Sequence, residues 1–192
     1  VAPPEPVATT ASPRSAVFLW LATALSLVAF IASAVTSHLV GLLTATGLTS
    51  GDAVLVGSLI GPMQVAGRVM EFAFARQVKA IVVGTFAFAL MAVSLAIFTQ
   101  IRGVWIVALA FAIAYGWANG VLTIVRGTVP AELFGQRGYG ALLGRLALPQ
   151  FVTKAVAPFA LALVLTVDPS RMWATWALLA LGVGAFVAYR AA

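Results

Sequence analysis

Lys154 is the residue of this chain with the most chemistry to explain. It lies near the centre of an apolar run from Gly138 to Val167. An ammonium near the middle of a bilayer costs roughly 3 kcal/mol or more and is rarely left facing lipid. It therefore points to a protein-lined, water-accessible cavity, where it would hold an anionic group or a coupling carboxylate. The plainer role is a structural pair with an acid or with helix carbonyls. Gln150 stands one turn earlier on the same face and would bond the same ligand. Tyr115 and Asn119, one turn apart in another apolar run, suit hydrogen bonds to a solute or to a neighbouring helix. Gln64 adds an amide to a third run. His38 lies in the outer third of the first run, where an imidazole would either couple the protein to protons or sit at an interface. Arg68 and Glu71, three residues apart, can pair on one helix face. With Arg126, Glu132 and Arg145 they would form a charge latch that breaks on opening; the plainer role is charge that sets topology.

The surroundings of these residues decide the class. Hydrophobic residues make up 62% of the chain and charged residues 8%, against roughly half and a quarter in a soluble domain. This composition excludes an ordinary soluble globule and makes the lipid bilayer the solvent. There is no cysteine and only one histidine, which removes a disulfide framework, a thiolate nucleophile and a zinc site. No cofactor is implied. The net charge of +6 is spread along the loops and forms no patch, so it does not imply a nucleic-acid partner. Enrichment of Lys and Arg in cytoplasmic loops explains it.

The elements that must position the polar residues are six membrane-length runs, at about 16–43, 53–75, 80–99, 103–125, 139–167 and 172–189. They are Ala- and Leu-rich and lack period-two alternation, which argues against a β-barrel. The expected architecture is an all-α membrane protein with one transmembrane domain over 16–190, preceded by a flexible Pro/Ala-rich leader or interdomain linker over 1–15. Six spans place both termini on one side. That side receives Arg14, Arg76, Lys79, Arg126, Arg137 and Arg190, and the other only Arg102 and Arg171. The excess assigns both termini to the cytoplasm. Trp20, Trp105, Trp173, Trp176 and Tyr189 near span ends read as aromatic-belt anchors.

The polar residues are unevenly shared. Spans one, two, four and five carry them, and every third span is bland. Bland helices belong against lipid and the polar four around a central space. Two triplets with the same division of labour predict a 3+3 inverted repeat. Gly57/Gly61, Gly116/Gly120 and Gly140/Gly144 have the spacing that lets helices approach closely. Pro62, Pro149 and Pro158 interrupt spans two and five and make them candidates for gating elements.

Three stretches carry a family resemblance: Gly61 to Glu71, Tyr115 to Gly120 continuing through Val125–Pro130 to Gly135, and Gly138 to Arg145. With six spans and cytoplasmic termini, they resemble the C-terminal six-helix half of a major facilitator superfamily transporter, over about residues 15 to 190. The family's loop motif after its second helix survives only as Gly67, Arg68, Glu71, Arg76 and Lys79. The resemblance implies secondary active transport of a small solute across the inner membrane of a bacterium, and three basic residues inside the spans, Arg68, Arg145 and Lys154, against one acid, Glu71, tilt the expectation toward an anionic one. Its partners would be the bilayer, the solute, and an N-terminal six-helix half or a second copy. The alternative is a non-transporting or half-size subunit that pairs with a partner. An intramembrane enzyme is remote, because Ser58 lacks a glycine-serine-glycine setting and His38 lies in the preceding helix near the outer face.

Overall fold

An apolar medium offers the backbone no water to bond with, so each N–H and C=O must be paired within its own segment, and the α-helix does this locally. The computed structural model describes residues 15–74, 78–167 and 172–192. They form α1 (Ser15–Ala45), α2 (Ser50–Phe74), α3 (Ala80–Phe98), α4 (Trp105–Phe134), α5 (Tyr139–Val167) and α6 (Met172–Ala191). All six are long and apolar enough to cross a membrane, which supports an integral membrane protein. The expected leader up to Arg14, together with Ala75, Arg76 and Arg171, lies outside the described residues.

Five helices match their expected spans to within a few residues. The fourth does not: α4 was expected to stop at Val125 and continues to Phe134, through Pro130. Arg126, Gly127 and Thr128 read as a polar stop, yet the helix simply extends past the apolar run. Thr128 Oγ1 bonds back to the Ile124 carbonyl at 3.3 Å, and the left-handed Gly135 (φ 78°) ends it. At the start of α2, Thr49 and Asp52 form a reciprocal cap, the Asp52 N–H on Thr49 Oγ1 at 3.1 Å and the Thr49 hydroxyl on the Asp52 carboxylate at 2.7 Å.

The helices run up and down. α1 and α4 are the central members: α1 packs on α5 and α6, α4 packs on α2 and α3, and α3 packs on α6. One end of the bundle is tied by Phe18 of α1 against Phe134 of α4, ring centroids 6.5 Å apart. The same end holds the start of α3 and the end of α6, where the Tyr189 hydroxyl donates to the Ile81 carbonyl at 3.0 Å. The core fills the space between these helices with Leu25, Phe88, Met91, Leu95, Phe98, Phe111 and Leu122. The bland helices each bury one face and open the other. α3 exposes Val82, Phe86 and Val93, and α6 exposes Trp173, Trp176, Val183 and Val187.

Glycine sets the α2–α4 contact. A Cβ on Gly116 would lie 2.6 Å from the Met63 Cβ and 2.8 Å from the Ile60 carbonyl, and one on Gly120 would run into the Gln64 backbone carbonyl. Gly67 on α2 answers from the other side, pressed against the Trp117 backbone. The expectation of close approach therefore holds for Gly116 and Gly120. It fails for Gly61, Gly140 and Gly144, whose missing side chains would meet nothing within 4 Å. Spacing alone does not reveal which glycine face has a neighbour. Gly120→Ala should destabilise the folded protein by about 1–3 kcal/mol through overpacking, whereas Gly144→Ala should lose nothing; thermal unfolding in detergent measures both.

Candidate functional site

The site is best built from the breaks in α5. Pro158 has no N–H, so the carbonyl four residues back, that of Lys154, loses its helical donor. Ser33 of α1 replaces it: its hydroxyl donates to the Lys154 carbonyl at 2.8 Å. Further along, His38 Nε2 lies 3.0 Å from the Pro158 carbonyl. A carbonyl only accepts, so Nε2 carries a proton in this contact. Thr153 Oγ1 lies 3.2 Å from the Ser26 carbonyl and 3.0 Å from the carbonyls of Pro149 and Gln150. α5 is thus fastened to α1 through backbone oxygens, and the Lys154 side chain takes no part in the fastening.

Leu146, Gln150, Ala157 and Leu161 form the buried stripe of α5, and Lys154 stands at its edge, partly buried. It is fifteen residues into a helix of 29, about 22 Å along the axis from Tyr139. The charge that acts on its ammonium is that of Arg126 on α4, of like sign. Gln150 shares the flank but is buried and donates its amide N–H to the Leu146 carbonyl at 2.8 Å, the local partner a buried amide requires.

On α4, Tyr115, Asn119 and Arg126 share one face by their spacing. Tyr115 is 1% exposed and packs in the core, its ring 5.3 Å from Phe111, which lies 4.8 Å from Phe98. Its hydroxyl finds no partner among the described residues. The structure does not bring it to the flank of Lys154. Asn119, a turn further on, is partly exposed.

Of the five residues expected to form a charge latch, Arg68 and Glu132 make hydrogen bonds to other groups. Arg68 Nε donates to Thr123 Oγ1 at 3.1 Å, and that hydroxyl donates to the Gly120 carbonyl at 2.5 Å. Glu132 accepts the Ile81 N–H at 3.3 Å, so its carboxylate sits on the positive N-terminal end of α3. Glu71 borders an apolar groove of about 310 Å³ with Val82, Phe86 and Trp117. Arg145 is exposed, half a helical turn around α5 from Lys154. Arg126 is partly buried, and its Nε is buried without a hydrogen-bond partner. Gln64 is partly exposed on α2.

His38 lines a separate cleft of about 530 Å³ between α1 and α2, with Thr36, Ser37, Gly57 and Ser58. Tyr189 departs from its expected role as an interfacial anchor. It is 5% exposed, fits against the bare Gly84 and stacks on Phe88 at 4.4 Å. Trp20, Trp105, Trp173 and Trp176 remain exposed near helix ends. Ser33 and Tyr139 hold partners that their sequence positions alone do not reveal. The offset of four from Pro158 to Lys154 marks a carbonyl in need of a donor, but only the fold says that α1 supplies it. Among the described residues no three His, Asp or Glu side chains gather as metal ligands.

No protein-family model matches the chain, and no curated protein matches it.

Ser33→Ala should destabilise by about 0.5–2 kcal/mol, because it strands a partly buried carbonyl. In a Pro158→Ala background the helix regains its own donor, and the same change should be nearly silent. A double-mutant cycle by thermal unfolding reads the coupling; equal losses in both backgrounds would contradict the assignment.

Proposed function

We propose that this chain is one six-helix half of a secondary active transporter of the major facilitator type, moving a small, preferentially anionic solute by alternating access. The observation that carries the reading is Lys154. It is a cation at the middle of a membrane-length helix, partly exposed at the edge of that helix's buried stripe. A group so placed demands water or an anion.

The packing supports the reading further. If α1–α3 and α4–α6 are exchanged, the contacts α1–α5 and α1–α6 become α4–α2 and α4–α3, and both sets are present. Such an exchange is what a 3+3 inverted repeat would produce. α2 and α5 are the least buried of the six helices. Both carry polar residues together with exposed Val65, Val69, Leu148, Phe151 and Val152, a surface suited to a second six-helix half or a second copy. Lys79, Arg137 and Arg190 lie at the end where α1 begins and Arg102 at the other, which favours cytoplasmic termini in an inner membrane.

A half-size subunit paired with a partner is favoured over transport by one outcome only: a folded product with no flux. Reconstitution of the full-length protein carrying this chain into proteoliposomes tests the reading. Under an imposed pH gradient, at least one small anion should accumulate, and Lys154→Ala should abolish the flux while the protein stays folded. Flux unaltered by that substitution would return Lys154 to a structural role.

A further inference from the structure

We infer that His38 is a proton-binding site in the cleft where Leu165 of α5 meets α1 and α2, and that its charged ring clamps α1 to α5 through the Pro158 carbonyl. The clamp is independent of transport and needs only the packing of α1 on α5.

α1 and α5 run in the same direction, since their ties advance together along both helices, from Ser33 on Lys154 to His38 on Pro158. Both ties end on α5 carbonyls. The Ser33 hydroxyl donates at any working pH, so that tie is fixed. His38 is different, because its ring reaches the Pro158 carbonyl at 3.0 Å through Nε2. A neutral imidazole has one N–H, on either nitrogen. Only the tautomer with Nε2–H makes the tie; the other turns a lone pair onto the carbonyl oxygen. A charged imidazole carries N–H on both nitrogens, so it always donates, and a charged donor bonds more strongly than a neutral one. Imidazole changes charge between about pH 5 and 8. The tie therefore tightens when the ring takes up a proton and slackens as pH rises.

The surroundings admit the charge. His38 is partly exposed and sits seven residues before the end of α1, about 10 Å along the axis. The cleft it lines has a volume of about 530 Å³, room enough for water. Thr36, Ser37 and Ser58 line the same space. The Ser58 hydroxyl donates to the Leu55 carbonyl at 2.8 Å, which leaves its oxygen able to accept. The second N–H of the charged ring thus has hydroxyl oxygens and water to bond with. The other charged groups toward this end are few among the described residues. Lys154 lies one turn before Pro158 on α5, Asp52 is engaged with Thr49 in the cap of α2, and Arg102 has its backbone against Gly47. On α6, Tyr189 and Arg190 lie at the opposite end. On α4, Tyr115 packs in the core, and Arg126 and Glu132 lie toward the opposite end. No carboxylate lines the cleft, so the Pro158 carbonyl and water hold the charge in place of an acid.

The test is double electron–electron resonance on the full-length protein, freed of other cysteines, in nanodiscs. Spin labels go on Ala45→Cys and Thr166→Cys, exposed positions at the far ends of α1 and α5. The distance distribution separates a clamped from an open arrangement. The ratio of clamped to open should rise about five- to tenfold between about pH 8 and about pH 5.5. His38→Gln keeps a neutral donor and should hold the alkaline ratio at both pH values. Asp52→Asn and Lys154→Gln should keep the response, so the assignment stays exposed even if His38→Gln does not fold. An equal ratio at both pH values, or one that falls with pH, would overturn the clamp. So would a response that persists in His38→Gln, or one lost in Asp52→Asn or Lys154→Gln with His38 intact. Gradient-driven flux without the response would sink the clamp and leave the transporter reading. The response without flux would do the reverse.

Discussion

Lipid offers no hydrogen-bond partner, and the rest of this structure follows from that constraint. In water a proline break in a helix is repaired by solvent. In α5 the carbonyl freed by Pro158 is met by the Ser33 hydroxyl of a helix 121 residues away in sequence. Thr153 reaches the Ser26 carbonyl in the same way, and Tyr189 and Glu132 satisfy the carbonyl and N–H of Ile81. Backbone repair fastens α5 to α1 and the ends of α4 and α6 to the start of α3.

The second consequence concerns what drives packing. Between helices already in lipid there is little hydrophobic gain, so close van der Waals contact and interhelical hydrogen bonds take its place. The α2–α4 seam shows both: Gly116, Gly120 and Gly67 let the backbones meet, and Arg68 bonds to Thr123 across the same seam. Exposed charge in α2 and α5 is then the exception that asks for an explanation. A partner surface or an aqueous path between halves supplies one, and we read the molecule in that sense.

Much of the architecture was legible from the amino-acid sequence because hydropathy over twenty residues is a strong signal. Five spans agreed with the observed helices, since each begins and ends near Gly, Pro or a charged residue. α4 ran nine residues further because helix does not need lipid to continue, and Arg126 looked like a boundary only on a hydropathy scale. Tyr115 and Tyr189 lie in the core, and their sequence positions do not reveal it for a common reason. A tyrosine in an apolar run can serve a cavity, an interface or the core, and the choice depends on neighbours such as Phe111 and Gly84 that are distant or mute in sequence. The glycine pairs divided in the same way: Gly116 and Gly120 have a helix opposite them and Gly140 and Gly144 do not. Lys154 stood out from sequence, because a lone ammonium in an apolar run is visible without a fold.

The central claim is that the Lys154 flank opens in turn to each side of a membrane. This chain has no cysteine, so Lys154→Cys introduces its one thiol, which can be probed in sealed vesicles of oriented full-length protein with the parent protein as the labelling background. Membrane-impermeant maleimide should label it when applied from the inside and, in separate vesicles, from the outside. Labelling from one side only, or from neither, would contradict alternating access at this flank.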